Sequence, residues 1–172
     1  HSLIGYENEK ARSMLLKISN LLRRILELSD QQTIPLSDEL SYLKDYLDIE
    51  QERFHDRLEV IYTIEDQLLE TQVPSLILQP LAENALKHGI APSESNGQIV
   101  ITIKTVAEQR LNIIVLNTVD GQSDKSNSTQ IGLKNLRNRL VHLYGEEFSI
   151  DIQQTSNSFQ VSLNLPNHQN GY

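Results

Sequence analysis

Three polar side chains stand at positions i, i+3 and i+4 near the end of an apolar segment: Asn84, Lys87 and His88. On a helix this spacing puts them on one face. A carboxamide oxygen is a hard, neutral ligand of the kind Mg²⁺ accepts, and an ammonium and an imidazole beside it offset phosphate charge. The face suits a triphosphate with Mg²⁺, Asn84 being the metal ligand. The same residues also fit an ordinary helix end, with Glu83 and Lys87 as an i, i+4 ion pair. Spacing alone leaves both readings open.

A second segment, Gln130 to Leu140, follows a run of small polar residues, TVDGQSDKSNSTQ, at 118–130. That composition reads as a mobile loop. A loop feeding a helix N-terminus offers unpaired N–H groups and a favourable dipole to phosphate. Gly132 permits close backbone approach there, and Leu133 follows it at the start of the helix. Arg137 and Arg139 fit a phosphate site and solvated surface charge equally.

The elements that would position these groups follow from periodicity. Ala11, Met14, Ile18, Leu21, Ile25 and Leu28 form a heptad seam, widened by Leu15 and Leu22. Ser29 to Pro35 breaks it. A second helix is expected from about Ser37, a plausible N-cap, with Asp38 and Glu39 placed well against the helix dipole. Leu36, Leu40, Leu43, Leu47 and Phe54 repeat the seam, with Glu50 where an apolar residue was expected. The two segments read as a helical hairpin. Its stripes would be covered by a second copy in a four-helix bundle, or by the chain's own domain.

Beyond Arg57 the period changes. Leu58–Ile64 reads as a strand, Pro74–His88 as an apolar helix ending at Gly89 and either kinked or started by Pro80. Gln98–Val106 and Arg110–Asn117 read as strands, Ile131–Leu143 as a helix closed by Gly145, and Phe148–Gln153 and Phe159–Leu165 as two final strands. The fold class is therefore α+β: a hairpin, then an α/β sandwich whose mixed sheet is mainly antiparallel, with helices on one face. The expected division is residues 1–55, partial dimerisation helices; 56–166, the catalytic domain; and 167–172, a tail.

Composition narrows the function. The chain has 172 residues, 38% of them hydrophobic, and a net charge of −8 from 15 basic and 23 acidic residues. This balance disfavours a general nucleic-acid coat, which needs phosphate neutralisation. There is no cysteine, which excludes thiolate chemistry and disulfides. No apolar run approaches the roughly 20 residues that span a membrane. The start at His1 inside a helical pattern leads us to expect a piece of a longer protein.

The wording of the motifs then matters. LQPLAENALKHG, residues 78–89, resembles the asparagine box of the histidine kinase and gyrase-type ATPase superfamily, in the form found in LytS/YehU-type sensor kinases. IGLKNLRNRLVHLYG resembles that family's glycine-box helix. ELSYLKDYLDIEQERFHDRL is similar to its second dimerisation helix, and ENEKARSMLLKISNLLR to the helix after the phosphoacceptor. The resemblance covers nearly the whole chain, in the family's order. It implies a Bergerat-type fold that binds ATP and Mg²⁺. Asn84 would hold Mg²⁺, Lys87 and His88 would face the phosphates, and Glu83 would polarise water or orient Mg²⁺. Residues 118–130 would be the ATP lid, with Gly132 and Leu133 bordering the phosphates.

This sequence departs from the family pattern in places. The adenine-reading aspartate appears as Asn117, whose oxygen can accept from an amino group without charge. Ser128 and Gln130 replace two lid glycines, and Ser158-Phe159 replaces the late Gly-Thr. The phosphoacceptor motif, of His-Phe-Leu-Phe-Asn type, is expected upstream of His1; His55, His142 and His168 read as surface histidines. The implied activity is transfer of the ATP γ-phosphoryl group to that upstream histidine, then to a response regulator of LytTR type. The whole protein is expected to be a homodimer anchored in the bacterial inner membrane, with this part cytoplasmic. The alternative is a degenerate, non-catalytic dimeric scaffold that binds a regulator.

Overall fold

The structure, a computed structural model, describes residues 2–93, 95–106, 110–119 and 129–167. Helix α1 runs Ser2–Ser29 and α2 Leu36–Phe54, with a short strand β1, Thr33–Pro35, between them. Then come β2 (Leu58–Ile64), β3 (Gln72–Pro74), α3 (Gln79–Ala85), β4 (Gly97–Val106), β5 (Arg110–Thr118), α4 (Thr129–Tyr144), β6 (Ser149–Gln154) and β7 (Ser158–Leu165).

The main sheet has the order β2-β4-β5-β7-β6, parallel between β2 and β4 and antiparallel elsewhere. The mixed, mainly antiparallel sheet expected from directly successive strands is therefore present. Its alternation is clean: Ile99, Ile101 and Ile103 are buried on β4, Ile113 and Val115 on β5, Val161 and Leu163 on β7. Helices α2, α3 and α4 cover that one face, contributing Leu43, Leu81 and Leu136 to the same core. Truncating one such leucine to alanine costs about 2–5 kcal/mol. A second sheet, β1 paired antiparallel with β3, has strands too short to announce themselves by alternation.

The core ignores the expected boundary at residue 55. Leu36, Leu40, Leu43, Leu47 and Phe54 lie in one cluster with Leu58 and Ile101. The apolar stripe of α2 is thus covered by its own chain and is not a seam for a second copy. Helix α1 differs. Its C-terminal part packs on α2 through Leu21, Ile25 and Leu28 against Tyr42, and Lys17 and Arg24 pair with Glu52 and Asp45. Leu15, Leu16 and Leu22 are 56–65% exposed.

The helix ends test the sequence expectation. Ser37 is not the N-cap of α2: the helix begins at Leu36, after Pro35, with no side-chain cap. Instead Leu36 N–H donates to Thr71 O (2.9 Å) and Ser37 N–H to Leu69 O (2.8 Å). Backbone carbonyls brought in by the approach to β3 satisfy the first N–H groups, so no capping side chain is needed. Of the two readings of Pro80, the start holds: the helix expected over Pro74–His88 begins at Gln79, with Pro80 in its first turn, where a proline's missing N–H costs nothing. After Ala85 the chain widens into a π turn, Leu86–Ile90, closed by Ala91 N–H to Leu86 O at 2.8 Å. Gly89 sits inside that turn and is not a left-handed cap. Gly145 is such a cap: its φ is 59° and its N–H reaches Val141 O.

Candidate functional site

Asn84 lies in the last turn of α3 and is 8% exposed. Its carboxamide makes no hydrogen bond among the described residues. Its oxygen is left as an acceptor that no described protein group engages. Next to it, Glu83 is exposed and accepts from Gln79 Nε2 at 2.7 Å. The ion pair of Glu83 with Lys87 is not formed among the described residues. Both side chains are exposed, and Glu83 is engaged by Gln79, one turn earlier on α3. Glu83 instead directs its charge at Tyr42 and Tyr46 of α2.

Lys87 is exposed and His88 half-buried. Burial, with the charge of Lys87 adding to it, holds His88 below its ordinary 6.5. It therefore meets an approaching anion mostly as a neutral imidazole.

Gly89 has a packing reason that the sequence does not display. A β-carbon on it would stand 2.6 Å from Thr118 O and closer still to the amide nitrogen of Asn117. Only glycine lets the π turn lie against the end of β5. Asn117 itself is 1% exposed and donates through Nδ2 to Thr118 O at 2.9 Å. Across the β5–β7 ladder it faces Phe159, and Thr118 faces Ser158. The structure thus brings the asparagine-box segment and Asn117 into contact, with Ser158-Phe159 beside them.

Helix α4 starts at Thr129, before the expected Ile131, so its free N–H groups belong to residues 129–132. Gly132 is exposed, and a β-carbon there would meet nothing within 4 Å. The side chain of Leu133 is 7% exposed in the core and anchors this end of α4. Of the expected lid, residues 120–128 lie outside the described residues, and so does the side chain of Gln130.

Three charged residues, of which the sequence singled out only Arg139 and for a different role, hold the asparagine-box segment in place. Glu39, fully buried on α2, accepts from Leu76 and Leu78 N–H, each at 2.8 Å. Arg139 of α4 donates to Leu76 O at 3.0 Å. Arg57, just after α2, donates to Ile90 O at 3.3 Å and to Ser93 O, with its guanidinium 5.9 Å from the Phe54 ring centroid. One signal was present: Glu39 shares a helical face with Leu36, Leu40 and Leu43, and a carboxylate on an apolar stripe calls for a buried partner.

The sequence also has known relatives. The histidine kinase family profile matches residues 1–58. The chain is 33% identical to the sensor protein LytS of Oceanobacillus iheyensis, over 96% of its own length and 31% of that protein. It is 34% identical to the sensor histidine kinase YpdA of Escherichia coli, over 96% of the chain and 30% of the relative.

The chain belongs to the LytS-type sensor histidine kinase family.

It spans about a third of the length of these curated relatives. The fold has a solved counterpart in the histidine kinase domain of the Erythrobacter litoralis EL346 blue-light activated histidine kinase. That likeness has a TM-score of 0.59 at 18% identity, over 98% of the chain and 86% of the counterpart. Among the described residues no group of three His, Asp or Glu side chains could hold a metal ion. A carboxamide such as that of Asn84 offers one hard neutral oxygen, the kind of donor that suits an ion keeping several waters.

Proposed function

We propose that this chain binds ATP with Mg²⁺ and serves as the catalytic part of a sensor histidine kinase, passing the γ-phosphoryl group to a histidine elsewhere in the full protein and then to a response regulator. The observation that carries this reading is Asn84, 8% exposed, whose carboxamide has no hydrogen-bond partner among the described residues, one turn ahead of Gly89 and its contact with Asn117. Asn84 offers its oxygen to Mg²⁺. Lys87 and His88 face the phosphates, and Asn117 accepts from the adenine amino group. The first turn of α4, with Gly132 open beside it, presents N–H groups to phosphate while Leu133 anchors the helix. Mg²⁺ neutralises charge on the transferring phosphoryl group, so the protein's share of the catalysis is positioning. Glu83 orients water or the metal ion at the rim.

The exposed leucines of α1 support a homodimer, in which a second copy covers the face that α2 leaves open. The regulator is proposed to be of LytTR type and the whole protein membrane-anchored, with this part cytoplasmic. Among the described residues no helix is long and apolar enough to cross a membrane.

The test is phosphorylation of the full-length protein by γ-labelled ATP. Acid-labile, base-stable label that disappears in Asn84→Ala supports the reading; absence of label in the wild type contradicts it. A second reading, a scaffold without catalysis, draws on Phe159 standing opposite a buried, uncharged Asn117. It predicts no label but retained binding of the regulator.

A further inference from the structure

Glu39 stands outside the constellation that meets nucleotide, yet it is fully buried and makes two short charge-assisted bonds to a loop 37 and 39 residues away. Its Oε2 accepts from Leu76 N–H and its Oε1 from Leu78 N–H, the residue next to the first residue of α3. Leu76 has a φ of 53°, a left-handed conformation that a leucine adopts only when its surroundings impose it. Arg139 fastens the same residue from the other side, through Nη2 to Leu76 O, and its charge faces Glu39. Residues 76–78 are thus gripped by a carboxylate from α2 on their N–H groups and a guanidinium from α4 on a carbonyl.

Stability alone does not require this arrangement. A buried ion pair is often matched by well-packed apolar residues of similar volume. Burial pushes the Glu39 carboxyl above its usual 4.5, against the opposing pull of the N–H groups and Arg139. Keeping it charged at neutral pH therefore costs folding energy. What the carboxylate supplies that an apolar residue cannot is a fixed position for two backbone N–H groups at the root of α3.

We propose that Glu39 is a positioning residue of the nucleotide site: through Leu76 and Leu78 it sets the start of α3, and hence Asn84, relative to α2, and with Arg139 it ties that setting to α4, the helix that leaves the polar loop. A shift of the α1–α2 hairpin is then passed to Asn84 through two hydrogen bonds. This inference rests on the reading of Asn84 as the metal-holding residue.

The test uses the ¹⁵N-labelled 172-residue chain as wild type, Glu39→Gln and Arg139→Met, at a temperature where circular dichroism shows each folded. The first readout, without nucleotide, is the position of the Asn84 side-chain amide resonances and the backbone amides of residues 79–85. The second is affinity for a non-hydrolysable ATP analogue with Mg²⁺. Both variants should move the Asn84 resonances and weaken binding about tenfold, the loss of one charge-assisted hydrogen bond's worth of positioning. The double variant should lose little more than the worse single one, as groups acting as a unit are not additive.

A variant that melts earlier but, while folded, keeps the Asn84 resonances and the affinity overturns the proposal and leaves Glu39 a purely structural residue. If Glu39→Gln does not fold, Arg139→Met decides by the same two readouts. If the wild type binds no nucleotide, the kinase reading fails, and the resonances still decide whether Glu39 positions Asn84.

Discussion

Gly89 lies against Asn117 so closely that no side chain fits between them. This contact joins the π turn after α3, which carries Lys87 and His88, to the end of β5, where the residue proposed to read adenine stands. Gly89→Ala should therefore cost about 1–3 kcal/mol, the usual penalty for overpacking a tight site. Chemical denaturation measures it. An unchanged midpoint would mean that the π turn moves away from β5 freely.

Asn117 is the uncharged counterpart of an aspartate. With its Nδ2 committed to Thr118 O, its oxygen is the acceptor left for an amino group. Asn117→Asp should bind adenine nucleotide about fivefold to tenfold tighter, because charge strengthens the hydrogen bond, and should fold less stably at neutral pH, because the new charge is buried opposite Phe159. Competition of ATP against GTP and a thermal melt report the two effects. Loss of ATP preference in the variant would remove Asn117 from the adenine site.

The pH dependence turns on His88. Its folded pKa lies below 6.5, so the unfolded chain takes the proton more readily. The stability it contributes is present above 6.5 and is lost as pH falls through the folded pKa. A phosphate beside it favours the imidazolium and raises that pKa. Nucleotide binding should then take up a proton and tighten as pH falls from the bound-state pKa to the free-state pKa. Proton NMR of the His88 ring with and without Mg²⁺–nucleotide decides it; an unmoved titration would place His88 away from the phosphates.

On α1, Leu15 and Leu22 lie seven residues apart on the exposed stripe. Replacing both with glutamate should shift the chain from dimer to monomer at tens of micromolar while leaving its secondary structure intact. Light scattering with circular dichroism checks both. A wild-type monomer would remove α1 as the seam.

The fold was legible where periodicity carries it. The alternation of Ile99, Ile101 and Ile103 gave β4, and the 3.6-residue rhythm of Leu133, Leu136 and Leu140 gave α4. What escaped was set by distant backbone. Ser37 looked like a cap, but the carbonyls of Leu69 and Thr71 do that work from over thirty residues away. Gly89 looked like a helix stop because its real neighbour, Asn117, is near only in space. At the proposed site, Asn84, Lys87 and His88 stand out in the sequence by type and spacing, which also fit an ordinary helix end. Glu39 and Arg57 did not stand out, and Arg139 fitted surface charge as well as a phosphate site, since ordinary surfaces carry the same charges. Their partners are backbone groups, which no side-chain pattern reveals.

Calorimetric titration of a non-hydrolysable ATP analogue into the chain, with and without Mg²⁺, as wild type and as Asn84→Ala, tests the central claim. We expect saturable, Mg²⁺-dependent binding by the wild type, and loss of the Mg²⁺-dependent part in an Asn84→Ala variant that remains folded. Binding that is indifferent to Mg²⁺, or equal in the two proteins, would contradict the assignment of Asn84 as the metal-holding residue.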